Sequence, residues 1–186
     1  MKKYFFTVVV IALAVASTMA QQPKGKTTVV SSPKLSTDKP NILVILYDDM
    51  GYGDLGVYGN RAYRTPAIDQ LAREGTTFTN YYAPAPVCTP SRAALLTGRY
   101  AVRSGLTDVV FAHDSVIDWA VRALGRPVAL PRDEILLPEI LRASGYRTAM
   151  VGKWHLGDMP GGKPNDFGFD EYFGALYSND MQPFAI

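Results

Sequence analysis

Residues Asn41-Ile42-Leu43-Val44-Ile45-Leu46-Tyr47 form a nearly continuous apolar run with β-branched members. That pattern suits a strand buried on both faces of a parallel sheet, where neither side meets water. The run stops at Asp48-Asp49, and Gly51, Gly53 and Gly56 follow. The period then changes. Thr65 is a good N-cap, Pro66 fits the first helical position, and Ile68 and Leu71 share one side ahead of Gly75. This predicts a helix from about Thr65 that ends before Gly75. Thr76 to Tyr82 reads as a short strand.

Pro84, Pro86 and Pro90 force an irregular approach to a second helix, Ser91 to Leu96, closed by Gly98. Asp108 to Pro131 supports no single assignment. Leu137 to Ala143 predicts a short helix ended by Ser144-Gly145, and Arg147 to Val151 another buried strand that runs into Gly152-Lys153-Trp154-His155. Strands alternating with helices argue for an α/β fold with a mainly parallel sheet and helices on both faces. In open sheets of that kind ligands bind at the carboxyl ends of the strands. Asp48-Asp49 and Lys153-Trp154-His155 both follow a predicted strand, and Cys88 precedes a predicted helix.

The N-terminus stands apart from this pattern. Lys2 and Lys3 precede an apolar stretch from Tyr4 to Ala16, and Thr18-Met19-Ala20 places small residues for cleavage after Ala20. The stretch is shorter than the roughly 20 residues of a spanning helix, which favours a cleaved signal peptide (1–20) over a membrane anchor. Residues 21–40, rich in Lys, Ser, Thr and Pro, read as a flexible linker, and the fold is expected over 41–186. An exported, periplasmic or extracellular chain follows. Removing Lys2 and Lys3 leaves 17 basic residues (19 minus 2) against 17 acidic ones. Such a balance excludes an electrostatic case for nucleic acid or an anionic membrane as partner. The single cysteine, Cys88, excludes an internal disulfide and leaves a free thiol or a residue with another use.

Three constellations carry candidate chemistry. Asp48-Asp49 offers two hard oxygen ligands for a divalent cation, though an Asp pair also serves simply to end a strand. Cys88-Thr89-Pro90-Ser91-Arg92 puts a cysteine at a helix start, where unpaired N–H groups and the helix dipole favour an anion. Arg92 adds a planar fork of donors. A lone cysteine is ordinarily a small buried hydrophobe, and its neighbours weigh against that here. Lys153 and His155, taken singly, read equally as surface residues. Asp54 reads as a brace for the Gly-rich turn, Trp154 and Tyr52 as packing residues, and His113 as a loop residue outside any motif.

Together these motifs resemble the type I sulfatases of the alkaline phosphatase superfamily. Cys88-Thr89-Pro90-Ser91-Arg92, continuing to Thr97-Gly98-Arg99, is similar to the family signature C-x-P-S-R followed by T-G. Lys39-Pro40-Asn41-Ile42 leading to Asp48-Asp49-Met50-Gly51-Tyr52-Gly53-Asp54 resembles its first metal motif. Gly152-Lys153-Trp154-His155-Leu156-Gly157 resembles its second signature. Gly168-Phe169-Asp170 and Tyr177-Ser178-Asn179-Asp180 fit the stretch that follows.

The resemblance implies that a formylglycine-generating, sulfatase-maturating enzyme oxidises Cys88 to Cα-formylglycine. One hydroxyl of the hydrated aldehyde attacks the sulfur of a sulfate ester, and the other helps eliminate sulfate. It implies Asp48, Asp49 and the residue at 88 as ligands of Ca2+. Arg92 holds the hydrate, Lys153 the nucleophile and a sulfate oxygen, His155 acts as a base, and Ser178 orients the nucleophile or its basic neighbour. The family's later metal and sulfate ligands have no counterpart before Ile186, so an incomplete catalytic domain is expected. Two alternatives stay open: an inactive fragment, and a phosphonate or phosphate ester hydrolase of the same superfamily.

Overall fold

The computed structural model describes residues 39–181. The expected signal peptide and the expected linker up to residue 38 lie outside the described residues. The chain divides into two units between Ile45 and Leu46. Of the first, residues 39–45 are described; they form no helix or strand and are exposed. The second holds five helices and a two-stranded sheet among the described residues. These are α1 (Pro66–Glu74), α2 (Cys88–Thr97), α3 (Ala101–Ser104), α4 (Val116–Ala123), α5 (Leu137–Ala143), β1 (Ala149–Val151) and β2 (Glu171–Phe173). Short 3-10 turns cover Tyr52–Asp54, Gly56–Tyr58 and Pro164–Phe167. None of these helices is long and apolar enough to cross a membrane.

Local signals explain the helices. Pro66 opens α1, and Thr65 supports it by accepting from the Gly56 amide at 2.8 Å and donating to Asp69 Oδ1 at 2.9 Å. In α2, Gly98 takes the left-handed conformation at φ 66° and returns its amide to the Ala94 carbonyl at 2.9 Å, closing the last turn. Glu139 folds its carboxylate back to the Leu136 amide at 2.8 Å, so α5 starts where Pro138 allows it. Asp54 does brace the Gly-rich turn: its Oδ2 accepts the Gly51 amide, and its carbonyl takes the Asn60 amide group at 2.9 Å.

Two predicted strands do not form. Asn41–Tyr47 pairs with nothing among the described residues, and Leu43 is 84% exposed. Thr76–Tyr82 is irregular, with Phe78, Tyr81 and Tyr82 exposed. An apolar run becomes a strand only where a neighbour accepts its backbone hydrogen bonds. Among the described residues neither run has that neighbour. Tyr52 packs its ring on Tyr58 at 4.3 Å but stays exposed, outside the core.

The sheet is parallel, Ala149 to Val151 pairing in register with Glu171 to Phe173. It forms part of an α/β fold. Thr148 sets the register, taking Asp170 Oδ2 on its amide at 2.9 Å and donating its hydroxyl to the Gly168 carbonyl at 2.6 Å. Beyond the ladder the two chains stay side by side: Gly152, Trp154 and His155 donate to the carbonyls of Phe173, Ala175 and Leu176 at 2.9–3.0 Å. Trp154 is fully buried beside Phe167 and Phe169, and its indole N–H reaches the Gly162 carbonyl at 2.8 Å. Leu106, Val110, Leu130, Leu136 and Leu156 complete the core around it.

Gly174 lets the two chains approach this closely. Its φ is +155°, and an added Cβ would fall 2.1 Å from the Gly152 carbonyl oxygen. We expect Gly174→Ala to destabilise the protein by about 3 kcal/mol through backbone strain and overpacking. Urea denaturation, read as a lowered midpoint at unchanged slope, measures it.

Candidate active site

The carboxyl end of β1 delivers Gly152 and then Lys153, whose ammonium reaches the Asp48 carboxylate. Arg92 approaches the same carboxylate from α2 at 3.5 Å, while its other Nη donates to the Lys153 carbonyl at 2.5 Å. Asp48, Arg92 and Lys153 therefore converge although 44 and 61 residues of chain separate them in turn (92 minus 48, 153 minus 92). Burial pushes the Asp48 carboxyl up; the hydrogen bond and charge of Lys153, joined by Arg92, outweigh it and hold the group below its usual value. Two cations sharing one carboxylate leave a local positive charge, the condition for receiving an anion in a chain of near-zero overall charge.

Cys88 is the first residue of α2, half-buried and unpaired by any disulfide. Arg92 lies four residues on, and side chains at that spacing share a helix face. Its Nε–H is buried and has no partner, a donor one helical turn on from residue 88.

Thr89 joins this helix to His155. Its hydroxyl donates to the His155 carbonyl at 2.9 Å and accepts the Val110 amide at 3.2 Å. Sequence reasoning gave Thr89 no role; its polar side chain at a helix start was the available signal. His155 itself has no exposed surface and adopts the left-handed φ of 61°, a strained value for a residue with a Cβ. Its Nε2 lies 3.1 Å from the Val110 carbonyl. A carbonyl only accepts, so Nε2 carries the proton, and in the neutral ring Nδ1 is a bare acceptor. That Nδ1 is buried without a partner. Burial, and after it the charge of Lys153, push the imidazole down to about 4, so it is neutral at pH 7. Tyr177 packs edge-on against the ring at 5.6 Å.

Asp49 shares the left-handed conformation at φ 56° and is exposed. Ser178 is half-buried, and the carboxyl of Asp180, two residues on, is held below its usual value first by the nearby Ser178 hydroxyl and further by the charge of Lys153. Asp180 was not singled out as a site residue. The structure thus brings Asp48, Arg92 and Lys153 into direct contact and ties His155 to α2 through Thr89. Asp49 and Ser178 stand beside them in sequence or charge, without a contact to that trio.

The calcium ion implied by the resemblance is consistent with the donors in kind: Asp48 and Asp49 are adjacent hard carboxylates. They are too few to complete a shell of roughly 6–8 oxygens, and among the described residues no group of three or more His, Cys, Asp or Glu side chains is placed to hold a metal ion.

A family model described as Sulfatase matches residues 40–183. The chain is 49% identical over 146 residues to arylsulfatase A of Bos taurus, covering 77% of this chain and 27% of that protein. It is 48% identical over 150 residues to N-acetylgalactosamine-6-sulfatase of Homo sapiens, covering 77% and 28%. The chain spans about a quarter of the length of these curated relatives. Among solved structures, Ps i-CgsB superposes with a TM-score of 0.67 at 41% identity, over 76% of this chain and 29% of that one. Ps i-CgsB in complex with k-i-k-neocarrahexaose gives a TM-score of 0.62 at 40% identity, over 70% and 27%. With most of its length matched, and with the signature residues gathered at one strand end, the chain belongs to the sulfatase family.

Proposed function

We propose that this chain carries the nucleophile-bearing part of a sulfuric ester hydrolase, with Cys88 as the residue matured to formylglycine. One observation carries the reading most: Arg92, on the helix face of Cys88, holds Asp48 and the Lys153 carbonyl while its Nε–H stays free. The substrate is a sulfate ester, and the names of the relatives, an arylsulfatase, a sugar sulfatase and a neocarrahexaose-binding enzyme, favour a sulfated saccharide. Formylglycine supplies an oxygen nucleophile and a second hydroxyl with which to release sulfate. Asp48 and Asp49 would hold part of the shell of a calcium ion, which when bound would supply a Lewis acid for the sulfate oxygens.

The chain's own residues do the rest. Arg92 Nε–H orients the oxygen at position 88. Lys153 opposes the charge that develops on the sulfate, and its pairing with Asp48 fixes its ammonium beforehand. His155 Nδ1 is the base that takes a proton from a hydroxyl at residue 88, and the Val110 carbonyl fixes its tautomer. Ser178, two residues before Asp180, orients the nucleophile or its basic neighbour. A secretory route to the periplasm or exterior, with a formylglycine-generating partner, fits the N-terminal sequence.

Maturation is tested by mass spectrometry of the tryptic peptide Glu74–Arg92. We expect it about 18 Da lighter than the cysteine form, since formylglycine loses sulfur and two hydrogens and gains oxygen, whereas thiol oxidation adds mass. An unmodified thiol from a maturation-competent host overturns the assignment. Turnover of an aryl sulfate above that of the matching aryl phosphonate is expected as well, and the reverse order makes the chain a phosphonate ester hydrolase.

A further inference from the structure

Thr89, Val110 and His155 come from three segments: the second residue of α2, the chain between α3 and α4, and the chain that follows β1. All three are buried, Thr89 and His155 with no exposed surface. Three hydrogen bonds join them in a closed circuit. The Thr89 hydroxyl donates to the His155 carbonyl at 2.9 Å, and the Val110 amide donates to the same hydroxyl at 3.2 Å. The His155 ring donates through Nε2 to the Val110 carbonyl at 3.1 Å. Thr89 closes the circuit with one atom, since Oγ1 both donates and accepts. No apolar side chain can take its place.

A threonine within a helix commonly turns its hydroxyl back to a carbonyl of the preceding turn. Thr97 does so, donating to the Ala93 carbonyl at 2.7 Å. Thr89 stands in the first turn, where no helical carbonyl lies behind it, and its hydroxyl reaches a residue 66 positions away instead. His155 needs such a hold. Its φ of 61° is unfavourable for a residue with a Cβ, and such conformations persist where the surroundings fix them from several sides. The His155 amide donates to the Leu176 carbonyl at 2.9 Å, its carbonyl accepts from Thr89, and its ring is held by Val110. Two of these three anchors run through the Thr89 hydroxyl.

Val110 links the two. Its amide is on Thr89 and its carbonyl is on the imidazole, so moving the hydroxyl moves the acceptor that decides which ring nitrogen carries the proton. Thr89 is also the chain neighbour of Cys88. The hydroxyl that holds His155 therefore ties it to the helix end that bears residue 88. We infer that Thr89 is a positioning residue: its hydroxyl holds His155 in its left-handed turn and, through Val110, keeps the proton on Nε2 and leaves Nδ1 bare. The inference rests on the reading of His155 as the base.

The test is NMR of the full chain with 15N-labelled histidine, in which His113 and His155 are the two histidines and His155→Gln assigns the signals. The wild type is expected to show His155 as one tautomer, with Nε2 protonated and Nδ1 bare. The Thr89 hydroxyl proton should give its own resonance, with a cross-peak to the Val110 amide proton. A missing hydroxyl resonance, or a proton on Nδ1, overturns the inference without any variant. Thr89→Val keeps the shape and removes the hydroxyl, and should lose the single-tautomer pattern; an unchanged pattern overturns the inference too. Thr89→Ser keeps the hydroxyl and should keep the pattern, and its loss there would assign the role to the methyl group instead. With an aryl sulfate, Thr89→Val should lower kcat per folded and matured chain roughly 10–100-fold, leaving KM within about twofold, while Thr89→Ser restores most of kcat. A changed tautomer with unchanged kcat overturns the positioning role. The expected NMR pattern in a matured chain without sulfatase turnover would sink the proposed hydrolase while the hold of Thr89 on His155 stands.

Discussion

Arg92→Lys is expected to lower kcat/KM for an aryl sulfate by about 10²–10³-fold, the loss that follows removal of one preorganised donor at a charge-developing centre. Arg92 does three things at once. One Nη holds the Lys153 carbonyl, another faces Asp48 at 3.5 Å, and Nε–H is buried without a partner; in the proposed reading it serves the oxygen at residue 88. A lysine has one ammonium on a flexible stem and cannot reproduce a planar fork with three separate targets. The charge survives the change, so any loss reports geometry. Trypsin cleaves after lysine as it does after arginine, which lets the corresponding peptide of the variant show whether residue 88 is matured. Full maturation with the expected loss places Arg92 in the chemistry. Full maturation with wild-type kcat/KM overturns its role, and failed maturation moves that role to recognition by the maturating enzyme.

The elements that proved legible in the sequence are those with signals inside themselves. The Leu137–Ala143 helix, with Pro138 at its start, was readable to the residue, and Gly98 marked the end of α2. The runs 41–47 and 76–82 carried strand composition, but a strand is a relation between two chains, and composition does not name the partner. The strand Glu171–Phe173 was missed for the converse reason: it is three residues long, and its pairing with β1 is held by Thr148 and Asp170, which no periodicity reveals. Over α4 the sequence supported no single assignment, and the structure buries Asp118 while Val116, Ile117 and Trp119 are exposed.

The site divides along the same line. The meeting of Asp48, Arg92 and Lys153 was foreseeable from the motifs, but not through two strand ends: Lys153 follows β1, Arg92 lies on α2, and the run before Asp48 forms no strand. The depth of His155 was not. Nothing in Gly-Lys-Trp-His-Leu-Gly says that the imidazole is enclosed, that Val110 fixes its tautomer, or that Thr89 anchors its backbone. Those partners lie 45 and 66 residues away, outside any local window.

That enclosure has a measurable consequence. Between about pH 6.5 and pH 4 the unfolded chain binds a proton at His155 and the folded chain, whose imidazole is pushed down to about 4, does not. The unfolded state therefore holds more protons in this window, and stability must rise with pH across it and level off above pH 6.5. At about 1.4 kcal/mol per pH unit the loss on acidification amounts to about 3 kcal/mol. The lowered carboxylates Asp48, Asp170 and Asp180 act elsewhere: their contribution is present above the ordinary carboxylate pKa of 3.8 and is lost below it. Urea denaturation of the wild type and His155→Gln at pH 7, 6, 5 and 4.5 isolates the histidine, because the remaining His113 is common to both. The variant should lose most of the slope, and equal slopes would show that His155 is not held neutral. The same burial that weakens the fold in acid keeps Nδ1 bare there. A base that resists protonation down to pH 4 still accepts a proton in a mildly acidic medium, where an exposed histidine of pKa about 6.5 would already be charged.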